Sequence, residues 1–396
     1  MMNKEKIFIF LLFLVSILII SPISAESIDD IVSLDDSSVN DDVPLSEDVQ
    51  TLDENAQDSL KSEVQDDNLL GDDSQNEIRG TFTDLQQQID DAEGELNLSY
   101  DFAYSESIDG DYFLDGVYVE DAITINGNGH NISGENLARI FWFDLYGAEA
   151  TLNNLTLIGG SYDEGGAVYV DRDSTLYIND VNFFENTAES GGALYSEGKV
   201  YITNAVFDNN SITLPVSNKF DGGAAICNYG EYLSISNSNI TNNLKDVVDE
   251  SNYLAGAVAT YSNTYIENSY FADNGGSLGG AISSWGTLNF GENLLRIINT
   301  TFEGNVADFG GAIYALSFDL EIDNCTFEDN KANGIDDFLL GGGAIVVCPG
   351  DFDVEITNTV FSRNSATCKG GAIAINTIGE GTIDNCTFKS NSADDG

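Results

Sequence analysis

Of the groups that do chemistry in proteins, this 396-residue chain holds one histidine, five cysteines and 67 carboxylates against 14 lysines and arginines. His130 stands in the turn Asn126-Gly127-Asn128-Gly129-His130-Asn131, where the Gly and Asn neighbours favour a structural role over general acid–base work. Asp171-Arg172-Asp173 is the best local constellation of carboxylates and base, and Asp109-Gly110-Asp111 and Asp351-Phe352-Asp353 are the pairs that could touch Ca²⁺. Neither pair has the spaced ligands of a dedicated calcium loop, so at most weak surface Ca²⁺ is expected, with no cofactor and no metal site. Glycoside hydrolysis would need two carboxylates facing each other across a groove. A polysaccharide lyase would need Ca²⁺-binding carboxylates beside a proton-abstracting base. Asp-rich turns are usual in so acidic a chain, and no residue is assigned a catalytic role. Cys227, Cys325, Cys348, Cys368 and Cys386 are odd in number and include no C-x-x-C pair, which gives no metal framework.

All of these groups must be positioned by a repeat. The stretch from Ile297 to Tyr314, I-I-N-T-T-F-E-G-N-V-A-D-F-G-G-A-I-Y, recurs from residue 152 to the end of the sequence. Its aromatic position is held by Leu157, Phe183, Phe207, Ile240, Phe271, Phe302, Phe327, Phe361 and Phe388, at spacings of 24 to 34 residues. Steps of that length belong to solenoids, propellers or arrays. Three residues before the aromatic runs a polar row, Asn154 to Asn385, and three after it a second, Asn186 to Asn391. Small-residue clusters follow at Gly165, Gly191, Gly222, Gly279, Gly310, Gly342 and Gly370, with Ala255-Gly256-Ala257 as the one departure.

The alternation of apolar and polar residues from Leu320 to Phe327 predicts a strand with one buried face, and G-G-A-I-Y predicts a second short strand. Two or three short strands per period are too few for a propeller blade and fit the coil of an all-β parallel β-helix, or solenoid. Each aromatic then lies about 4.8 Å from its equivalent in the next coil, as a continuous apolar column. The Asn rows belong in turns, where the amide can bond the backbone or its stacked neighbour. Cys325 and Cys386 hold the same motif position two coils apart, about 9 to 10 Å, too far for a disulfide. Repetition of this kind serves stacking before chemistry.

The pairing of F-x-x-N with G-G-A-[ILV] resembles the repeat of chlamydial polymorphic outer membrane proteins. As a whole, residues 80 to 396 are similar to the adhesin-like surface proteins of methanogenic archaea, which carry a similar cap followed by I-T-I-N-G-N-G-H, here Ile123 to His130. The resemblance implies a right-handed parallel β-helix of the pectin-lyase-like type, displayed on the cell surface for attachment. It carries over no catalytic residues.

In chain order, residues 1–25 read as a secretory signal peptide: Lys4 and Lys6, an apolar run from Ile7 to Ile20, and small residues up to Ala25. Residues 26–79 form an acidic spacer too poor in apolar side chains to fold. Residues 80–138 hold an N-terminal cap and the first coils. Thr81 to Ala92 is predicted as a short capping helix with Thr83 as N-cap, followed by strands at Glu95 to Leu98, Val117 to Val119 and Ala122 to Ile125. The repeat β-helix runs over 139–396 and is expected to be truncated, continuing into further repeats or a wall anchor, because the sequence stops on the first glycine of another G-G-A. Beyond residue 80 stand 48 acidic and 10 basic side chains, a net charge near −38. That argues against nucleic acid and anionic lipid as partners, since both require a basic footprint.

Between the second Asn and the glycine cluster the usual gap is five or six residues, but it is twelve after Asn210, Asn243 and Asn330. Insertions on one face of a repeat array often form its binding face. Phe220, Tyr253, Phe338, Leu339 and Leu340 are therefore the candidate ligand-contact residues. The function expected is that of a secreted, non-catalytic, adhesin-like protein of the cell surface or cell wall, attaching to glycans or proteins of other cells. A carbohydrate-active enzyme on the same fold, and a structural wall or stalk component, are the alternatives.

Overall fold

The computed structural model describes residues 79–394, apart from 214–221, 244–253, 287–292, 317–318, 335–340, 349, 351 and 378. The expected signal peptide, and all of the expected spacer but Arg79, lie outside the described residues.

One coil shows how the residues make the fold. Leu294–Ile298 points Leu295 and Ile297 inward, and Asn299 follows in the left-handed conformation at φ 49°. Thr301–Glu303 resumes the extended chain with Phe302 buried. Gly304, at φ 65°, and the buried Asn305 make the next corner, before the two-residue strand Val306–Ala307. Gly310 to Ala312 turn the chain again, and Ile313–Leu316 closes the coil. The stretch from Leu320 to Phe327, expected as one alternating strand, is two strands, Asp319–Asp323 and Thr326–Glu328, parted by Asn324 at φ 54°. The left-handed residue breaks the period of two, so the chain bends around the core instead of running past it.

Stacking these coils gives three faces. The first two strands of each coil join a 21-stranded sheet, the last joins a 10-stranded sheet, and the short strands between them, two to four residues long, form ladders of three and four. Pairing is parallel and in register, Phe271 against Phe302 and Phe302 against Phe327. The chain is thus the all-β parallel β-helix expected, of about ten turns.

Columns of like residues, stacked coil on coil, fill its inside. The aromatic positions from Leu157 to Phe361 are fully buried, and Phe302 stacks on Phe271 at 5.0 Å and Phe327 at 4.7 Å between ring centroids. The second Asn row, expected in turns, is buried instead; the left-handed turn residue is the one before it, Asn209, Asn242 or Asp273. Asn210 donates its side-chain amide to Phe183 O at 3.1 Å and to Asn243 Oδ1 at 3.0 Å, and its main-chain N–H to that same Oδ1 at 3.0 Å. Repeated from Asn186 to Asn364, this satisfies every amide hydrogen of the row, which is what permits its burial. The glycine corner combines two demands. Gly310 has φ 65°, whereas a Cβ on Gly311 would lie 2.2 Å from Gly343 O in the next coil. In the coil read as beginning at Gly222, the left-handed glycine is Gly223, because Ile226 pairs with Leu194.

The helix Phe82–Asp90 buries Phe82, Leu85 and Ile89. Its N-cap is Thr81, not Thr83: the Thr81 hydroxyl accepts from Asp84 N–H, and the Asp84 carboxylate accepts from Thr81 N–H at 2.9 Å, a reciprocal box. Thr83 instead donates its N–H and hydroxyl to Asp109. Gln86 shields the sheet edge. Its amide donates to Tyr118 O at 2.9 Å and accepts from Tyr118 N–H at 2.8 Å, filling the bonds that a preceding strand would make to Val117–Val119. The other first strands fall at Glu95–Asn97 and Ile123–Asn126.

Candidate ligand-contact surfaces

The groups singled out for chemistry take scaffold positions. His130 Nδ1 lies 3.0 Å from Asp101 Oδ1, which also accepts the Asn131 N–H at 3.0 Å, so the pair pins the turn. Arg172 donates its main-chain N–H to Asp171 Oδ1, and its guanidinium reaches Glu197 Oε2, at 2.6 Å, in the next coil. The buried Asp109 carboxylate receives the N–H groups of Phe82, Thr83 and Ser105 at the start of the capping helix, where the helix dipole favours an anion. Asp111 is exposed beside it. Asp353 Oδ1 accepts the Glu380 N–H at 2.8 Å, and Asp351 lies outside the described residues. Among the described residues no group of three or more His, Cys, Asp or Glu is arranged to hold a metal ion.

All five cysteines are free, four of them buried and Cys386 partly so. Burial pushes the Cys325 and Cys348 thiols up to about 12, so both stay protonated and unreactive. Thr359 separates Cys325 from Cys386, accepting the Cys325 N–H on its hydroxyl and the Thr387 N–H on its carbonyl. This is the two-coil separation expected.

The candidate contact residues Phe220, Tyr253, Phe338, Leu339 and Leu340 lie outside the described residues. Of the chain that flanks the insertions, Ile212, Ala224 and Leu254 pack into a small buried cluster of their own, separate from the main core.

The sequence reading missed an aromatic row on the outer side of the 10-stranded sheet. Tyr118, Trp142, Tyr169 and Tyr195 face one another in register. Successive ring centroids lie 5.3, 5.9 and 5.4 Å apart, the first two pairs edge-to-face and the last stacked. Burial, then the bond its hydroxyl donates to Asp144 at 2.8 Å, raises the Tyr118 phenol. Arg139, 4% exposed, lies over the Tyr162 ring at 4.2 Å and the Tyr169 ring at 4.9 Å. Its guanidinium donates to the main-chain carbonyls of Asp115, Glu164 and Gly165, and burial lowers it to about 10. The repeated V-Y-V of Val117–Val119 and Val168–Val170 was a signal for the row. Nothing in the motif pointed to Arg139, which precedes the regular repeats.

Three segments of the chain, 180–197, 299–316 and 358–376, match the Chlamydia polymorphic membrane protein repeat. Each contains a left-handed Asn or Asp, the buried aromatic and the buried Asn of one coil, so the family repeat coincides with the structural one. The chain is also similar to three curated proteins. It is 32% identical to the "Probable autotransporter YfaL" of Escherichia coli (strain K12), over 44% of this chain and 12% of that protein. It is 37% identical to the "Metabotropic glutamate receptor-like protein R" of Dictyostelium discoideum, over 24% and 6%. It is 28% identical to the "Probable outer membrane protein PmpB" of Chlamydia muridarum (strain MoPn / Nigg), over 43% and 10%. The chain therefore spans only 6 to 12% of the length of these relatives. No solved structure matches.

Proposed function

We propose that this chain is a secreted, adhesin-like protein of the cell surface, without catalytic activity, attaching to glycans or proteins of other cells. The observation that carries the reading is the coincidence of the polymorphic membrane protein repeat with the structural coil, together with relatives named as an autotransporter and an outer membrane protein. A stack of near-identical coils suits adhesion because it offers a long, regular surface whose length is set by the number of coils. The I-T-I-N-G-N-G-H turn supports a place among the adhesin-like proteins of methanogenic archaea in particular.

The carbohydrate-active alternative gains nothing from Asp109, His130 or Arg172, each of which is engaged in holding the scaffold. Within the adhesive reading, Phe220, Tyr253, Phe338, Leu339 and Leu340 are proposed contact residues. Adherence of beads coated with the purified chain to whole cells tests the function, and shortening the three insertions to the five-residue gap tests the contacts. The coated beads are expected to adhere, and the triple deletion to adhere less. Failure of the wild-type beads to hold any cell, or release of products from polysaccharides incubated with the chain, contradicts the proposal.

A further inference from the structure

The outer face of the first strand in each coil changes character along the helix axis. Thr124, Thr151, Tyr177, Tyr201 and Ser234 stand opposite one another in register and form one outward row. Two residues further along the same strands, Asn126, Asn153, Asn179, Thr203 and Ser236 form a second. All ten are partly exposed. None is charged, in a chain of formal net charge −53. From the following coil onward the same two rows take up Glu267, Arg296, Glu321, Asp323 and Glu355.

The uncharged strip is also held rigid by its own bonds. Asn153 donates its amide to Asn126 Oδ1 and Asn179 to Asn153 Oδ1, both at 3.0 Å, and the Thr203 and Ser236 hydroxyls are 3.1 Å apart. The Tyr177 and Tyr201 rings stack at 5.0 Å, and Tyr232, at the margin, extends the contact to Tyr201 at 5.1 Å and Tyr265 at 5.4 Å. Because the rings cover each other's faces, they turn edges and hydroxyls outward at the coil spacing of about 4.8 Å. Burial raises the phenols of Tyr177 and Tyr232 above their ordinary value.

We propose that this strip, from Thr124 to Ser236, docks a neutral polysaccharide lying along the helix axis. The coil spacing is close to the length of one sugar in an extended glycan, so each coil offers a hydroxyl or amide to one residue of the ligand. The strip itself carries no carboxylate to desolvate, Glu95 and Glu149 standing only at its margin beside Asn126 and Tyr177, and the bonded ladders leave little side-chain freedom to lose. An anionic glycan is repelled by the surrounding charge. A protein partner would want an anchor pocket for a buried aromatic or Arg, which a ladder of mutually stacked rings does not supply. The proposal deepens the adhesive reading above and rests on it for its biological setting.

The test uses the full chain in isothermal titration against soluble hexasaccharides: cellohexaose, laminarihexaose, mannohexaose and chitohexaose as neutral probes, hexagalacturonate as the anionic one. At least one neutral probe is expected to bind, with affinity little changed between low and high salt. The double variant Tyr177→Ala/Tyr201→Ala should weaken that binding about tenfold or more, and Glu321→Gln/Glu355→Gln should leave it unchanged. Asn153→Asp, which adds a charge to the strip without removing a ring, should weaken it also and stands in if the double variant loses its β-sheet circular dichroism. Binding of no neutral probe, a preference for hexagalacturonate, or binding that survives both strip variants overturns the proposal. Bead adherence to cells, run in parallel, separates the two ideas. Adherence without neutral-glycan binding removes the strip and leaves the adhesive reading, whereas glycan binding without adherence does the reverse.

Discussion

Asn274 donates both its main-chain N–H and its side-chain amide to Asn305 Oδ1, at 3.1 and 3.0 Å, and its remaining amide hydrogen to Ile240 O at 2.8 Å. Asn305 repeats the pattern one coil on, donating to Phe271 O and Asn330 Oδ1. Asn305→Leu keeps the volume but leaves two donors of Asn274 and the Phe271 carbonyl without partners. At about 1–3 kcal/mol for each orphaned buried group, the loss should be on the order of 4 kcal/mol. Asn299→Ala, at an exposed left-handed turn, should cost only about 1 kcal/mol. Urea midpoints of the two variants check the contrast, and equal midpoints would show that the buried row adds nothing beyond turn geometry.

Phe302 is fully buried between Phe271 and Phe327. Phe302→Ala should destabilise by roughly 3–5 kcal/mol, because neighbours fixed from both sides cannot collapse into the cavity. Lys389→Ala, on an exposed side chain, should stay within about half a kcal/mol. Denaturation followed by circular dichroism compares the two.

Gly311→Ala places its Cβ 2.2 Å from Gly343 O, on a segment where Gly311 N–H donates to Gly342 O at 3.2 Å. Backbone, not a movable side chain, is what the methyl meets, so neighbouring coils must part. A loss on the order of 3 kcal/mol is expected. Faster amide exchange at Gly310 to Ile313 and in the paired residues of the next coil would show the parting directly; unchanged exchange there contradicts it.

Two carboxyl groups carry opposite pH signatures. The Thr357 hydroxyl and Asn358 amide, at 2.7 and 2.6 Å, hold Asp323 below the ordinary value of 3.8. Its contribution is therefore present above that value and lost as pH falls through the lower folded one. Asp308 is exposed as a residue, but partial desolvation of its carboxyl raises it, so its charge costs some stability at neutral pH and protonation relieves the cost on the acid side. Asp323→Asn should flatten the acid limb of the stability profile. Asp308→Asn should stabilise near neutrality, with the gain vanishing below about pH 3.8. Melting temperatures over that range decide, and an Asp308→Asn gain that persists in acid would contradict the assignment.

The sequence by itself determined the coil, its register and its core. Stacking makes each coil's neighbours copies of itself, so a residue type that suits one coil suits all, and the periodic recurrence of Phe302, Asn305 and Gly310 already encodes which residues touch. The same logic separated Cys325 from Cys386 and located the capping helix through Phe82, Leu85 and Ile89. Only the tertiary structure decided what depends on direction within a coil. Asn324 fell both within an alternating strand and within a row of Asn expected in turns, and only the need to bend around a core decided for the left-handed turn. Thr81 and Thr83 are equivalent as sequence; the reciprocal bonds of Thr81 with Asp84 make it the cap, while Asp109, 26 residues from Thr83, takes the Thr83 N–H and hydroxyl. Arg139 finds its carbonyl partners 24 to 26 residues away, outside any motif. The uncharged strip from Thr124 to Ser236 was hidden for the same reason: its ten residues are scattered through five coils, and only parallel pairing at one spacing brings them onto a single face.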